Sequence, residues 1–162
     1  MDALSQKILA LLKKNARISE EEIAERLNIS RDDAVAAIMD MEENGTIIGY
    51  TAITEPNLES HEVHAIIEVQ VQPERDAGFD KIANRLAKFD EVVALHLVSG
   101  RYDLCLEVVG DSLQEVAYFV SSKLSLQPGV KSTSTLFLLK KYKEAGILLE
   151  KEEKDERLQI TP

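Results

Sequence analysis

The sequence predicts an α+β protein of two units, and two patterns of apolar residues carry that prediction. Near the start of the chain, apolar residues recur every three or four positions, as in helices that bury one face. From residue 63 onward, β-branched runs and helical segments follow in the order strand, helix, strand, strand, helix, strand. The predicted units are therefore residues 1–54 and 63–142, joined by a polar linker at 55–62 and followed by a tail at 143–162.

The N-terminal unit begins with two helix signals. Leu4, Ile8, Leu11 and Leu12 share one face of a helix over residues 2–14. Ser19 followed by Glu22 predicts a capping box, in which the serine oxygen accepts a backbone amide and the glutamate side chain reaches back to the cap. The residues that this second helix turns inward are Ile23, Ala24 and Leu27.

A third helix is predicted between Ser30, which caps its start, and Asn44-Gly45, where glycine suits the left-handed residue after a helix. Two short helices joined by a tight turn, with a third packed beneath, form a helix-turn-helix. Residues 46–53 alternate weakly, as a two-stranded wing would. A plain three-helix bundle with no DNA role fits the helix spacing equally well. The predicted inner face of the third helix contains Val35, Ile38 and Met41.

The order of elements in the second unit is that of a ferredoxin-like domain, in which two helices cover one face of a four-stranded antiparallel sheet. The other face needs a cover from outside the unit, and self-association is the simplest one. The predicted elements are a strand at 64–71, a helix at 78–88, a hairpin of strands at 92–98 and 102–109, a helix at 111–126 and a strand at 130–140.

Several stretches carry a resemblance to one family. They are Arg17-Ile18-Ser19, Leu27-Asn28-Ile29-Ser30, the run from Glu42 to Thr51, and the hairpin turn from His96 to Asp103. They resemble the Lrp/AsnC (leucine-responsive, or feast/famine) transcription regulators. The resemblance implies a winged helix-turn-helix domain on double-stranded DNA and a ferredoxin-like RAM domain. It also implies a small effector, with an amino acid as the expected class, and a homo-oligomer, either a dimer or an octamer.

The hairpin turn is the predicted effector site. Backbone amides near Ser99 and Gly100 can face a carboxylate and Asp103 can pair with an ammonium group, which together suit a free amino acid. In the family, effectors lie at the interface between dimers against this turn. Alternatively, Gly100 only permits the turn and Asp103 only caps it. Arg101 departs from the family, whose members usually carry an acidic or small polar residue there. The expected effector-binding residues are Leu97, Ser99, Gly100, Arg101, Tyr102, Asp103, Leu113, Leu136, Phe137 and Leu138.

The charge of the chain opposes DNA binding. The net charge is -10, and the first 50 residues hold six basic and ten acidic side chains, a balance of -4. Base contacts are expected at the start of the third helix, where Arg31 must make most of the phosphate contact. We therefore expect weak, salt-sensitive binding that an oligomer strengthens. The expected DNA-binding residues are Ser30, Arg31, Asp32, Ala34, Ala37, Lys13, Lys14 and Arg17.

Other chemistry has little support in the sequence. The single cysteine, Cys105, allows no internal disulfide and is interpreted as a small core residue. His61 and His64 would bind a metal from a helix, whereas their neighbours favour a strand, and His96 is interpreted as a packed histidine. No metal or cofactor is expected. The chain carries no serine nucleophile elbow, phosphate loop or dinucleotide fingerprint, so we expect no enzyme.

Two alternatives to a regulator remain open from the sequence. Sirohaem decarboxylases resemble the same two-domain plan, but they place basic and histidine residues around a porphyrin, and this chain has three histidines. The other alternative is an assembly and sensing relative with little DNA affinity, which the acidic third helix favours. No apolar run approaches the roughly 20 residues of a membrane span, and no signal peptide opens the chain, so a cytoplasmic protein is expected.

Overall fold

A computed structural model describes residues 2–54, 62–73 and 78–149. The chain divides into two compact units, residues 1–53 and residues 54–162, which are described separately. In the described ranges, no helix has the length and apolar character needed to cross a membrane.

The first unit contains three helices, as predicted: α1 (Ala3–Leu12), α2 (Glu20–Leu27) and α3 (Arg31–Glu43). Ala34 and Met41 are the buried residues of α3, whereas Val35 and Ile38, predicted for its inner face, are only half-buried. Ala34 was not predicted there, because alanine carries a weak apolar signal. The buried core of the unit consists of Ile8, Leu12, Ile18, Ile23, Ala34, Met41 and Ile47.

Side-chain caps begin α2 and α3, as predicted. The Ser19 hydroxyl oxygen accepts from the Glu22 amide at 3.2 Å, and the Ser30 hydroxyl oxygen accepts from the Asp33 amide at 3.0 Å. The reciprocal half of the capping box is wrong, because the Glu22 carboxylate pairs at 2.6 Å with Arg26, one turn further along α2. A cation on the same helix face is therefore the stronger partner for that carboxylate.

The segment predicted to form the wing, residues 46–53, does not adopt strand geometry. None of the described residues from 46 to 54 belongs to a strand. The Ile47 amide donates to the Met41 carbonyl at 2.8 Å, and the Tyr50 hydroxyl donates to the Glu42 carboxylate at 2.8 Å. These bonds tie the segment back to the end of α3, and the described part of this unit offers no second strand with which it could pair.

The second unit confirms the ferredoxin-like prediction. Its sheet has the strand order β2-β3-β1-β4, with every neighbouring pair antiparallel. The elements are β1 (Val63–Val71), α4 (Asp80–Leu86), β2 (Val92–Leu97), β3 (Leu104–Gly110), α5 (Leu113–Phe119), a π-helical turn (Val120–Leu124), β4 (Val130–Phe137), β5 (Lys143–Glu144) and β6 (Ile147–Leu148).

Alternate residues of the central strands β1 and β3 face the helices and form the core. Phe119 of α5 packs edge-to-face on Phe89, with the ring centroids 5.5 Å apart. Burying each large aliphatic side chain in this layer contributes about 1.5–3 kcal/mol. The buried residues are Ala65, Ile67, Val69, Val71, Ile82, Leu86, Leu104, Leu106, Val108, Val116, Phe119 and Leu124.

The observed structure differs from the helix predicted over residues 111–126 in the geometry of its second half and in the residues that it buries. The chain changes to π-helical geometry at Val120, which widens the turn and rotates the following residues. Apolar spacing alone would turn Leu113 and Ala117 inward, but both are exposed, and Phe119 is buried instead.

The tail begins with a hairpin that was not predicted. Ala145 and Gly146 both have positive φ, 43° and 88°, and join β5 to β6 through the mirror-image turn that suits hairpins. From the sequence, residues 158–160 could equally add an edge strand or fray, and they lie outside the described residues.

Candidate functional site

The turn between β2 and β3 is fastened to the neighbouring strand by one residue, Asp103. The Val98 amide donates to the Asp103 carbonyl at 2.9 Å, which closes the turn. The Asp103 amide donates to the Val69 carbonyl at 3.1 Å, and the Asp103 carboxylate oxygen Oδ2 accepts from the Val71 amide at 2.9 Å. Asp103 therefore has a structural role in the free chain, whatever else it binds.

The residues inside this turn present main-chain donors. Within the described part of the chain, the amides of Ser99, Gly100, Arg101 and Tyr102 donate to no protein group. Gly100 does not use the left-handed region, and a Cβ added there would meet no atom within 4 Å. Neither strain nor packing inside the chain therefore requires glycine. The arginine guanidinium lies 5.7 Å from the centre of the Tyr102 ring, a cation–π distance.

The predicted effector residues fall into two groups at opposite ends of the sheet. The turn lies at the end where Val69 pairs with Leu104. Phe137 pairs with Ala65, four residues back along β1, which is about 13 Å at the usual rise of a strand. A single chain therefore does not bring the two groups around one amino acid. The group at the far end is Leu113, Leu136, Phe137 and Leu138, and the group at the turn is Leu97, Ser99, Gly100, Arg101, Tyr102 and Asp103.

Leu136 and Phe137 also point to opposite faces of the sheet. Phe137 pairs with the buried Ala65 and shares its helix-covered face, whereas Leu136 pairs with Ile66 on the other face. Both side chains are exposed at this edge, by 52% and 41% respectively. One ligand can therefore contact only one of them from the same side.

The predicted DNA-binding residues differ in how far their side chains are exposed to solvent. Ala34 is fully buried in the core, so it cannot reach a base and that prediction is corrected, whereas Ala37 is half-buried and packs against the same core. Both residues lie on the face of α3 that packs on α1 and α2. The exposed members of the predicted set are Ser30, Arg31, Asp32, Lys13, Lys14 and Arg17.

Arg31 already has an acidic partner in the free chain. Its Nε lies 2.5 Å from a carboxylate oxygen of Glu21, and both side chains are more than half exposed. A hydrogen bond from its own backbone amide and then the bond from Arg31 lower the pKa of Glu21. A DNA phosphate must therefore compete with a fully ionised carboxylate for this arginine.

Comparison with known proteins shows which domain each of the two units matches. Residues 64–148 match the Lrp/AsnC ligand-binding domain, and residues 1–48 match a winged helix-turn-helix DNA-binding domain. The chain belongs to the Lrp/AsnC family of transcriptional regulators. Within it, the chain carries a DNA-binding domain and a domain for a small-molecule effector.

Relatives match the Lrp/AsnC chain over almost its full length. An HTH-type transcriptional regulator of Bacillus subtilis is 40% identical over 96% of this chain and 95% of its own. A leucine-responsive regulatory protein of Rhizobium meliloti is 30% identical over 90% of this chain and 93% of its own. The relatives are named as transcriptional regulators, so the alternative of a sirohaem decarboxylase is set aside.

Solved structures agree on the fold. A transcriptional regulator from Neisseria meningitidis, solved as a complex with L-methionine, has a TM-score of 0.71 and 26% identity, covering 89% of this chain and 93% of that one. The leucine response regulatory protein of Mycobacterium tuberculosis has a TM-score of 0.74, covering 93% of this chain and all of that one, but its 19% identity supports the fold alone.

Among the described residues of this Lrp/AsnC chain, the helices of the second unit cover one face of the sheet, and we call the other face the open face. Glu107 lies on it and accepts from Lys141 Nζ at 2.6 Å, with His64 Nδ1 3.4 Å away. Partial burial opposes ionisation of Glu107, but the bond from Lys141 outweighs it, and the pKa falls below its usual value. By strand register the open face consists of His64, Ile66, Glu68, Gln70, Ala94, His96, Cys105, Glu107, Val109, Ser132, Ser134 and Leu136.

Two predictions are corrected on the open face. Cys105 is half-buried there instead of lying in the core, because strand alternation puts its neighbours Leu104 and Leu106 inside. Burial, followed by the charges of Glu68 and Glu107, raises the pKa of its thiol. His96, expected to be packed, is exposed on β2 of the single chain.

In the part of the chain described, neither a metal site nor the cavity beside α5 lies at the turn. His61, half of the histidine pair considered above, lies outside the described residues, and no group of three or more metal-ligating side chains forms in the ranges described. A cavity of about 300 Å³ opens beside α5 at the other end of β3, and none of its lining residues belongs to the turn. The turn is thus an open surface in a single chain.

Proposed function

We propose that this Lrp/AsnC regulator acts in the cytoplasm and binds a free α-amino acid at the turn between β2 and β3. The observation that carries the proposal is the set of unengaged amides from Ser99 to Tyr102, beneath open space at Gly100. These amides suit the carboxylate of the amino acid. The second carboxylate oxygen of Asp103, Oδ1, has no hydrogen bond to the described residues and would take the ammonium group. The methionine complex of the Neisseria meningitidis regulator supports the same ligand class.

A second copy of the chain would complete this site. The apolar residues at the far end of the sheet are separated from the turn by about 13 Å of strand, so they would contact an amino acid held by the turn of another copy. Phe137 and Leu113 are the better candidates, because they lie off the open face and remain exposed. The open face is then available for pairing two chains into a dimer, with larger even-numbered assemblies built from dimers.

Complementation between two variants tests this shared site. Asp103→Asn removes the proposed ammonium partner and Phe137→Ala removes the proposed side-chain contact, so each variant alone should lose the amino-acid-induced rise in melting temperature. Chains of the two kinds, unfolded together and refolded, should recover part of that rise, because some sites then combine an intact turn with an intact Phe137. The measurement is thermal unfolding against a panel of free amino acids, with mixed but separately folded variants as the control. If the co-refolded sample shows no recovery, Asp103 and Phe137 either belong to a site within one chain or do not form a site together.

For the DNA-binding domain, we propose that Arg31 makes the principal phosphate contact at the start of α3. Arg31→Ala should then weaken binding to all sequences and reduce the salt slope by about one. Glu21→Gln should instead tighten binding by about two- to fivefold, because an exposed ion pair that competes with phosphate is removed. Glu25→Gln, on the exposed face of α2, is the control for loss of one negative charge. The measurement is fluorescence anisotropy on a genomic fragment at several salt concentrations.

A regulator with little DNA affinity is the second candidate function. The Glu21 carboxylate is paired with Arg31, and Asp32 lies next to Arg31 on the exposed face of α3. If Glu21→Gln and wild type both fail to select any genomic fragment, with and without amino acids, the chain senses and assembles without DNA contact of its own.

A further inference from the structure

The outward face of α3 has an unusual composition for a helix that meets DNA. Residues 32, 36, 39 and 43 lie opposite the buried residues 34 and 41, at the spacing of one helical stripe. The two middle positions of the stripe are apolar, Ala36 and Met39, and Met39 is 53% exposed. Neither residue is among the predicted DNA-binding residues.

The polar groups of α3 leave little for hydrogen bonding to bases. Asp33 accepts from the Ser30 hydroxyl at 2.7 Å, and Asp40 accepts from the Asn44 side-chain amide at 3.2 Å. Arg31 is the one basic side chain between residues 31 and 43, and it is bound to Glu21. The helix thus has no arginine, lysine, asparagine or glutamine in its middle turns, the side chains that read guanine and adenine by paired hydrogen bonds.

Building on the DNA binding proposed above, we infer that Ala36 and Met39 determine specificity by contacting the C5-methyl groups of thymines in the major groove. The thymine methyl is the one apolar feature that a base edge presents there, and it is read by apolar side chains. An exposed methionine fits this use, since its unbranched side chain adapts to the position of the methyl.

Deoxyuridine substitution tests the inference, since it removes only the methyl group. A duplex selected by the wild-type chain from a random-sequence library is prepared with thymidine or with deoxyuridine throughout. Wild type should bind the deoxyuridine duplex about fourfold more weakly for each methyl contacted. Met39→Ala should lose most of this difference and Ala36→Ser part of it. Ile48→Ala, which removes a 97% exposed apolar side chain outside α3, should keep the full difference.

The possible outcomes distinguish thymine-methyl readout from the proposed DNA binding on which it rests. Equal wild-type affinity for the two duplexes would overturn thymine-methyl readout while leaving DNA binding intact. A full difference retained by Met39→Ala and Ala36→Ser, or a difference lost in Ile48→Ala instead, would place the contact outside the α3 stripe and overturn the assignment. Failure of the wild-type chain to select any duplex would overturn the proposed DNA binding and the inference together. Circular dichroism of each variant confirms that the three helices remain.

Discussion

Replacing Asp103 with alanine is expected to lower the melting temperature of the ligand-binding unit in the absence of any effector. The Asp103 carboxylate is the acceptor for the Val71 amide at 2.9 Å, and its loss leaves that amide without a protein partner at the end of β1. A lost hydrogen bond to a charged group costs about 1.5–3 kcal/mol, which for a unit of this size lowers the melting temperature by roughly 5–15 °C. Thermal unfolding followed by circular dichroism measures the change.

The paired variant Asp103→Asn separates this structural role from effector binding. An asparagine side-chain oxygen can still accept from the Val71 amide, so the melting temperature without ligand should stay near that of the wild type. The charge that would hold an ammonium group is gone, and the amino-acid-induced shift in melting temperature should disappear. Should Asp103→Asn respond to amino acids as the wild type does, Asp103 only fastens the turn, and the ammonium partner must be sought elsewhere.

From the sequence alone, Asp103 was expected either to pair with the ammonium group of a ligand or only to cap the turn. Its hydrogen bond to Val71 joins residues 32 positions apart, and no local pattern signals a contact of that range. The elements themselves were predictable, because helix caps and apolar periodicity are local. Ser19 and Ser30 therefore marked the starts of α2 and α3 correctly.

The same limit applies to the candidate sites. Family position grouped Leu136 and Phe137 with the turn at an interface between copies, and only strand register shows that within one chain they lie at the far end of the sheet and on opposite faces. Ala34 was assigned to DNA because it lies early in α3, whereas the helix phase that turns Met41 inward also buries Ala34. A helical wheel drawn through Met41 could have excluded Ala34 and selected Ala36 and Met39. The Glu21–Arg31 pair joins two helices and has no sequence signal.

Replacing Ile66 with lysine is expected to break the proposed dimer. Ile66 is half-buried near the middle of the open face, between Glu107 on β3 and Leu136 on β4. Each chain of a dimer would lose one buried aliphatic side chain, worth about 1.5–3 kcal/mol, so the dissociation constant should rise by roughly 10²- to 10⁴-fold. The single chain should tolerate the change, because the new ammonium group faces the Glu107 carboxylate across the strand pair.

Loss of the dimer should also weaken DNA binding, because the two helix-turn-helix domains of a dimer bind two half-sites and gain affinity by avidity. Ile66→Lys should therefore be a monomer by light scattering at micromolar concentration and bind DNA far more weakly than wild type, although α3 is unchanged. Leu126→Lys is the control, since Leu126 is 72% exposed outside the sheet and its replacement adds the same charge. A wild-type chain that is itself monomeric at this concentration would refute assembly through the open face. An Ile66→Lys variant that stays dimeric would move the interface to another surface, and the open face would then need a different cover for Ile66 and Leu136.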